Sequence, residues 1–111
     1  MKYRYTNVPS LIQQDRSEDE AICFICKRGG VVEFHHILNG SLRKVSEEIG
    51  AWVWLCPACH RKIHNYRHGV DNKLYDPQWL KGLCQEVYET SHTREEWMAK
   101  VHKNYVEQRL R

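Results

Sequence analysis

Apolar positions fall into two short runs and four helical stretches, and their spacing predicts the order of elements. Val31-Val32-Glu33-Phe34-His35-His36-Ile37 has the β-branched and aromatic character of a strand, as does Ala51-Trp52-Val53-Trp54-Leu55. Between them, Asn39-Gly40 signals a turn, and Ser41 to Ile49 fits a short helix that stops at Gly50. From Pro57 onward, Ala58-Cys59-His60-Arg61-Lys62-Ile63-His64 suits a second helix. Asp76 can cap a third, with Pro77 at its first position and Trp79, Leu80, Leu83, Val87 and Tyr88 on one face. Thr93 and Glu96 form a capping box for a fourth, which carries Trp97, Met98 and Val101 ahead of Tyr105. Residues 1–22 are polar and read as an extended arm with a short helical turn. The expected organisation is that arm, a central module over 23–68, and C-terminal helices over 69–111 that pack on it, all in one domain.

Composition sharpens this picture. A chain of 111 residues has the length of one domain, and 41% hydrophobic with 28% charged residues is the balance of a soluble globular protein. No apolar run reaches the roughly 18 to 20 residues of a membrane span, and Met1 to Thr6 lacks the apolar stretch of a secretion signal, so the expected location is the cytoplasm. The net charge of +3 is unevenly placed: residues 23–68 hold seven Lys or Arg against three Asp or Glu, whereas residues 69–111 balance. The same central segment holds five of the seven histidines and four of the five cysteines. That clustering points to an anionic partner such as nucleic acid, though a solvated basic face would look the same.

An odd cysteine count without a secretion signal argues against a disulfide framework. Cys23-Phe24-Ile25-Cys26 and Cys56-Pro57-Ala58-Cys59 are two CxxC knuckles 29 residues apart, a spacing that lets four thiolates share one tetrahedral zinc. Cys84, beside Leu83 on the third helix, reads as a buried free thiol. His60 and His64 lie four residues apart on a helix and so project from one face. Four thiolates already fill a zinc shell, which leaves these imidazoles for a second site. His35 and His36 are neighbours on a strand and point to opposite faces, so at most one joins His60 and His64 while the other is free to act.

These residues resemble the HNH, or ββα-metal, endonucleases, in the branch braced by a four-cysteine zinc. The match runs from Cys23 to His64: a CxxC knuckle, a strand ending in HH, a second strand, then CxxCH and a last histidine. Similarity to phage and prophage proteins of this branch continues through Arg43-Lys44, Ser46, Gly50, Ser91 to Trp97 and Asn104-Tyr105. The resemblance implies a small α+β fold with a ββα-metal core, a structural Zn²⁺ on Cys23, Cys26, Cys56 and Cys59, and additional C-terminal helices. It implies a catalytic divalent metal such as Mg²⁺, Mn²⁺, Ni²⁺ or Zn²⁺ on His35, His60 and His64, with His36 as the general base that deprotonates the attacking water. Imidazole suits that role because it exchanges a proton near neutral pH. The implied activity is hydrolysis of DNA phosphodiester bonds. Independently of the resemblance, no membrane partner is expected, and a monomer is favoured over a homodimer.

One position departs from the family. An asparagine usually precedes the second strand and steadies the loop that holds the base, and Ala51 stands there. Asn39 either replaces it or is a turn residue before Gly40. The departure leaves open a slower nuclease, a rearranged one, or a catalytically degenerate zinc-dependent module that only binds nucleic acid. A zinc-braced protein-interaction adaptor is the third class. Arg43, Lys44, Arg61, Lys62 and Arg67 are the candidate phosphate contacts, which would carry little sequence preference. Trp52 and Trp54 share a strand face and read as core.

Overall fold

The computed structural model describes residues 4–14, 16 and 20–106. Parts of the expected arm (1–3, 15 and 17–19) and the end of the C-terminal segment (107–111) lie outside them. Among the described residues the fold mixes a two-stranded sheet with four helices. Strand β1 (Glu33–His36) pairs antiparallel with β2 (Trp52–Leu55) in the register Glu33 to Leu55, Phe34 to Trp54, His35 to Val53 and His36 to Trp52. A 3₁₀ turn (Gly40–Leu42) and helix α1 (Arg43–Ile49) link the strands; α2 (Pro57–His64), a 3₁₀ turn (Lys73–Tyr75), α3 (Pro77–Tyr88) and α4 (Arg94–Val101) follow. None of the described helices is long and apolar enough to cross a membrane.

The strand pairing sorts side chains by face. Phe34 and His36 share one face with Trp52 and Trp54, and Phe34 stacks on Trp52 with ring centroids 4.6 Å apart. Both tryptophans are buried, so they serve the core. Glu33 and His35 project from the opposite face, where α2 packs. Strand β1 is shorter than the apolar run predicts. Val31 is 70% exposed, and Ile37 is already in the turn, its N–H donating to the Ala51 carbonyl at 2.9 Å.

The N-terminal arm is more than an appendage. Gln13 accepts the Trp54 N–H at 2.8 Å, Ser10 donates to the Trp52 carbonyl, and Trp52 Nε1 donates to the Val8 carbonyl at 2.9 Å. Phe24 of the first knuckle donates its N–H to the Trp54 carbonyl. Together these groups occupy the outer edge of β2, which would otherwise expose unpaired backbone. Gly50 ends α1 at a φ of 85°, and a Cβ there would collide with the Pro9 carbonyl, so both the turn and the docked arm require glycine.

The C-terminal helices form as their caps predict. Asp76 accepts the Gln78 N–H at 2.9 Å with Pro77 at the first position, and Thr93 and Glu96 complete a reciprocal capping box. Leu80, Cys84 and Tyr88 recur every four residues on the buried face of α3, and Trp97 and Val101 bury one side of α4. Buried Gln85 ties the segments together by accepting the Tyr105 N–H at 2.6 Å and donating to Asn104 and Glu89.

Candidate functional site

Two clusters of metal-ligating side chains lie within the described residues. In the first, one sulfur from each of Cys23, Cys26, Cys56 and Cys59 lies within 4.8 Å of every other. Each knuckle has a local cause. In the first, Lys27 takes a left-handed φ of 66° so that its N–H reaches back to the Cys23 carbonyl at 3.0 Å, while the Cys23 N–H donates to the Arg28 carbonyl. In the second, Cys56 is the N-cap of α2, with its sulfur accepting the Cys59 N–H at 3.4 Å. Four zinc–sulfur bonds of about 2.3 Å in a tetrahedron set neighbouring sulfurs about 3.8 Å apart. Cys26 Sγ and Cys56 Sγ stand 3.7 Å apart, so the donor set and its spacing fit zinc.

The thiol acidities differ across the cluster. Burial opposes ionisation of Cys23, but backbone hydrogen bonds from Cys56, Cys26 and Ile25 outweigh it and bring the thiol down to about 7. Burial pushes Cys59 up to about 12, despite a hydrogen-bond contact with the Tyr75 hydroxyl at 3.6 Å. Four adjacent thiolates repel one another, and a dication is what lets all of them ionise together. Cys84 is fully buried and far up the scale from an ordinary thiol because of that burial alone. It takes no part in the cluster.

In the second cluster, nitrogens of His35, His60 and His64 lie within 4.8 Å of one another. His35 extends from β1 toward α2, whose His60 and His64 lie one turn apart with ring centroids separated by 4.9 Å. His35 Nδ1 and His60 Nε2 are 3.2 Å apart, close to the spacing of about 3.3 Å that two nitrogens adopt on a tetrahedral ion with bonds of 2.0–2.1 Å. Glu33 Oε1 lies 2.8 Å from His60 Nδ1. A carboxylate only accepts, so Nδ1 carries a proton toward Glu33 and Nε2 is the nitrogen that faces His35; an outer carboxylate of this kind orients an imidazole for ligation. Burial first, then the neighbouring His60 and His64, drive His35 down to about 3, which keeps it neutral with a lone pair available.

His36 points the other way, as strand alternation requires. Its Nε2 lies 2.8 Å from Glu47 Oε2 on α1, and its ring packs edge-on against Phe34 and Tyr5. The same reasoning protonates Nε2 and leaves Nδ1 as the basic nitrogen. A cavity of about 360 Å³ is lined by both groups, with His35, His60 and His64 joined by His36, Asn39 and Arg43.

Asn39 is exposed and makes no capping hydrogen bond, and Ala51 is fully buried. The turn after His36 is instead held by Ser46. This buried hydroxyl accepts the Leu38 N–H at 2.9 Å and shares its proton between the Leu38 and Ala51 carbonyls at 3.0 and 2.8 Å. Ser46→Ala leaves the Leu38 N–H buried without a partner and is expected to cost about 2–3 kcal/mol. Urea denaturation at fixed zinc measures this, and a loss below about 0.5 kcal/mol would show that the turn is held by other contacts.

The five candidate phosphate contacts separate. Arg43 lines the histidine cavity, whereas Arg61, Lys62 and Arg67 line a shallow depression on the outside of α2. Arg67 is paired with Asp71 at 3.3 Å, Lys62 lies over the Tyr75 ring, and Lys44 is exposed on α1. The sequence assigns no site role to Glu33, Glu47 or Tyr5, and Ser46 enters there only as part of the resemblance, with no bracing role. Glu33 alone had a signal, since it lies two residues before His35 on the same strand face.

Comparison with family models, with curated proteins and with solved structures returns no match to this chain.

Proposed function

We propose that the chain is a metal-dependent DNA endonuclease of the HNH, ββα-metal kind. The observation that carries this reading is one cavity holding three converging imidazoles, His35, His60 and His64, beside a fourth, His36, that is backed by a carboxylate. The order β1, β2, α2, with candidate ligands on β1 and α2 and a four-cysteine cluster at the start of α2, supports the ββα-metal assignment. Three protein ligands leave coordination positions open, which is the mark of a catalytic rather than a structural centre.

In this reading each side chain has one task. Glu47 fixes the ring of His36, whose Nδ1 takes the proton of the attacking water. Arg43, on the cavity wall, pairs with the scissile phosphate, and Arg61 and Lys62 hold phosphates further along the strand. His35, His60 and His64 would hold a divalent cation, which when bound would supply Lewis-acid stabilisation of the phosphate and the leaving 3′ oxygen. Ser46 supplies the backbone bracing that Ala51 has no side chain to give.

Ala51 also motivates a second reading, a nucleic-acid-binding module without catalysis. Plasmid nicking separates the two. Protein stripped of loosely held metal but retaining its structural zinc is expected to be inert, and to nick supercoiled DNA when Mg²⁺, Mn²⁺, Ni²⁺ or Zn²⁺ is returned. Retardation of DNA on a gel with no nicking under any of the four metals would leave the binding module and remove the enzyme.

A further inference from the structure

A second cavity, of about 620 Å³, shares His64 with the histidine cavity. It lies between the end of α2 and the start of α3, and its size falls within the range of about 300–1,000 Å³ typical of small-molecule sites. His64, Tyr66, His68, Lys73, Gln78 and Trp79 are among its walls. Two aromatic rings offer surfaces for stacking, and Lys73 with the imidazoles offers donors to a phosphate. The Gln78 amide offers both a donor and an acceptor to the edge of a base. This combination recognises a nucleotide unit. Asp76 also lines the cavity, but one of its oxygens is engaged by the Gln78 N–H in capping α3.

Trp79 is the distinctive member. Trp52, Trp54 and Trp97 are 1%, 3% and 0% exposed, whereas Trp79, in the first turn of α3, is only partly buried: it packs against the core and also lines the cavity. An indole that packs on the core with one part and lines a cavity with another leaves ring surface on which a base can stack. A base paired inside a duplex cannot enter such a cavity without leaving its stack.

We infer that this cavity is a subsite for an unpaired nucleobase, next along the strand from the phosphate at the histidine cavity, so that the preferred substrate is single-stranded or frayed DNA. The inference rests on the nucleic-acid reading above and narrows its substrate.

The test is binding without cleavage, on metal-stripped, zinc-retaining full-length protein. Three probes are used: a labelled 12-nucleotide single strand, the same strand with abasic sites, and its duplex. Fluorescence anisotropy reports binding and tryptophan emission reports stacking. The single strand is expected to bind most tightly and to quench emission, the abasic strand to bind without that quenching, and Trp79→Phe to abolish it. Trp79→Ala is expected to weaken single-strand binding about tenfold. Lys73→Ala, on an exposed position with little consequence for folding, is expected to weaken it about threefold and to flatten the salt dependence. Binding with no Trp79-dependent quenching, or duplex bound as tightly as single strand, overturns the subsite and leaves the endonuclease reading standing. Absence of binding to all three probes overturns both.

Discussion

Cys23→Ser is expected to abolish the folded state under conditions where the wild-type chain is stable. Cys23 is fully buried, and its sulfur is one corner of a cluster that joins the first knuckle, the edge of β2 and the start of α2. Serine is nearly isosteric, so packing changes little, but its hydroxyl does not ionise to a zinc-binding anion at neutral pH. Structural zinc contributes on the order of 10 kcal/mol to folding, which is as large as the whole stability of about 5–15 kcal/mol usual for a domain. The variant should therefore show loss of bound zinc by elemental analysis, collapse of the near-ultraviolet circular dichroism of the buried tryptophans, and no cooperative thermal transition. Cys84→Ala is the control. That thiol is equally buried but lies outside the cluster, so its loss should leave one tightly held zinc and cost only about 1–2 kcal/mol. A Cys23→Ser protein that melts at the wild-type temperature would mean that the cysteines pack as ordinary small hydrophobes.

Much of this architecture was legible because its determinants are local. Knuckle spacing brings Cys23 to Cys26 and Cys56 to Cys59, helical spacing aligns His60 with His64, and the caps at Asp76 and Thr93 start their helices where the sequence places them. Alternation along β1 required His35 and His36 to part, but which of them meets α2 depends on the side of the sheet that the helix covers, and that is tertiary information. The same limit hid Glu47, which reaches His36 from an intervening helix, and Ser46, whose role depends on Leu38 and Ala51 being drawn together. The arm read as peripheral because polar side chains give no hydrophobic signal. Gln13 and Ser10 act through hydrogen bonds to the backbone of β2, more than forty positions away. Basic residues near one another in sequence likewise divided between two surfaces, since Arg43 lies on α1 and Arg61 on the outer side of α2.

The second large effect is expected from His36, which lines the histidine cavity but joins no ligand cluster. General-base catalysis contributes about 10²–10⁴-fold to rate, so His36→Ala should lower the nicking rate by that factor, or about 3–5 kcal/mol of barrier. Metal binding at His35, His60 and His64 should be retained, because His36 lends no nitrogen to that cluster and its Nε2 is engaged by Glu47. Alanine also leaves a gap against the Phe34 and Tyr5 rings, so His36→Gln, which keeps most of the volume, separates lost chemistry from loosened packing. Both variants should be equally slow if the proton acceptor is what matters. Glu47→Gln distinguishes orientation from charge. Its amide oxygen can still accept from Nε2 and hold the ring, whereas the negative charge beside the ring is gone, so a loss of about tenfold is expected at unchanged metal affinity. Rates for His36→Ala within threefold of wild type, with metal saturating and the fold intact by circular dichroism, would remove His36 from the mechanism and leave the three-histidine centre to activate water without it.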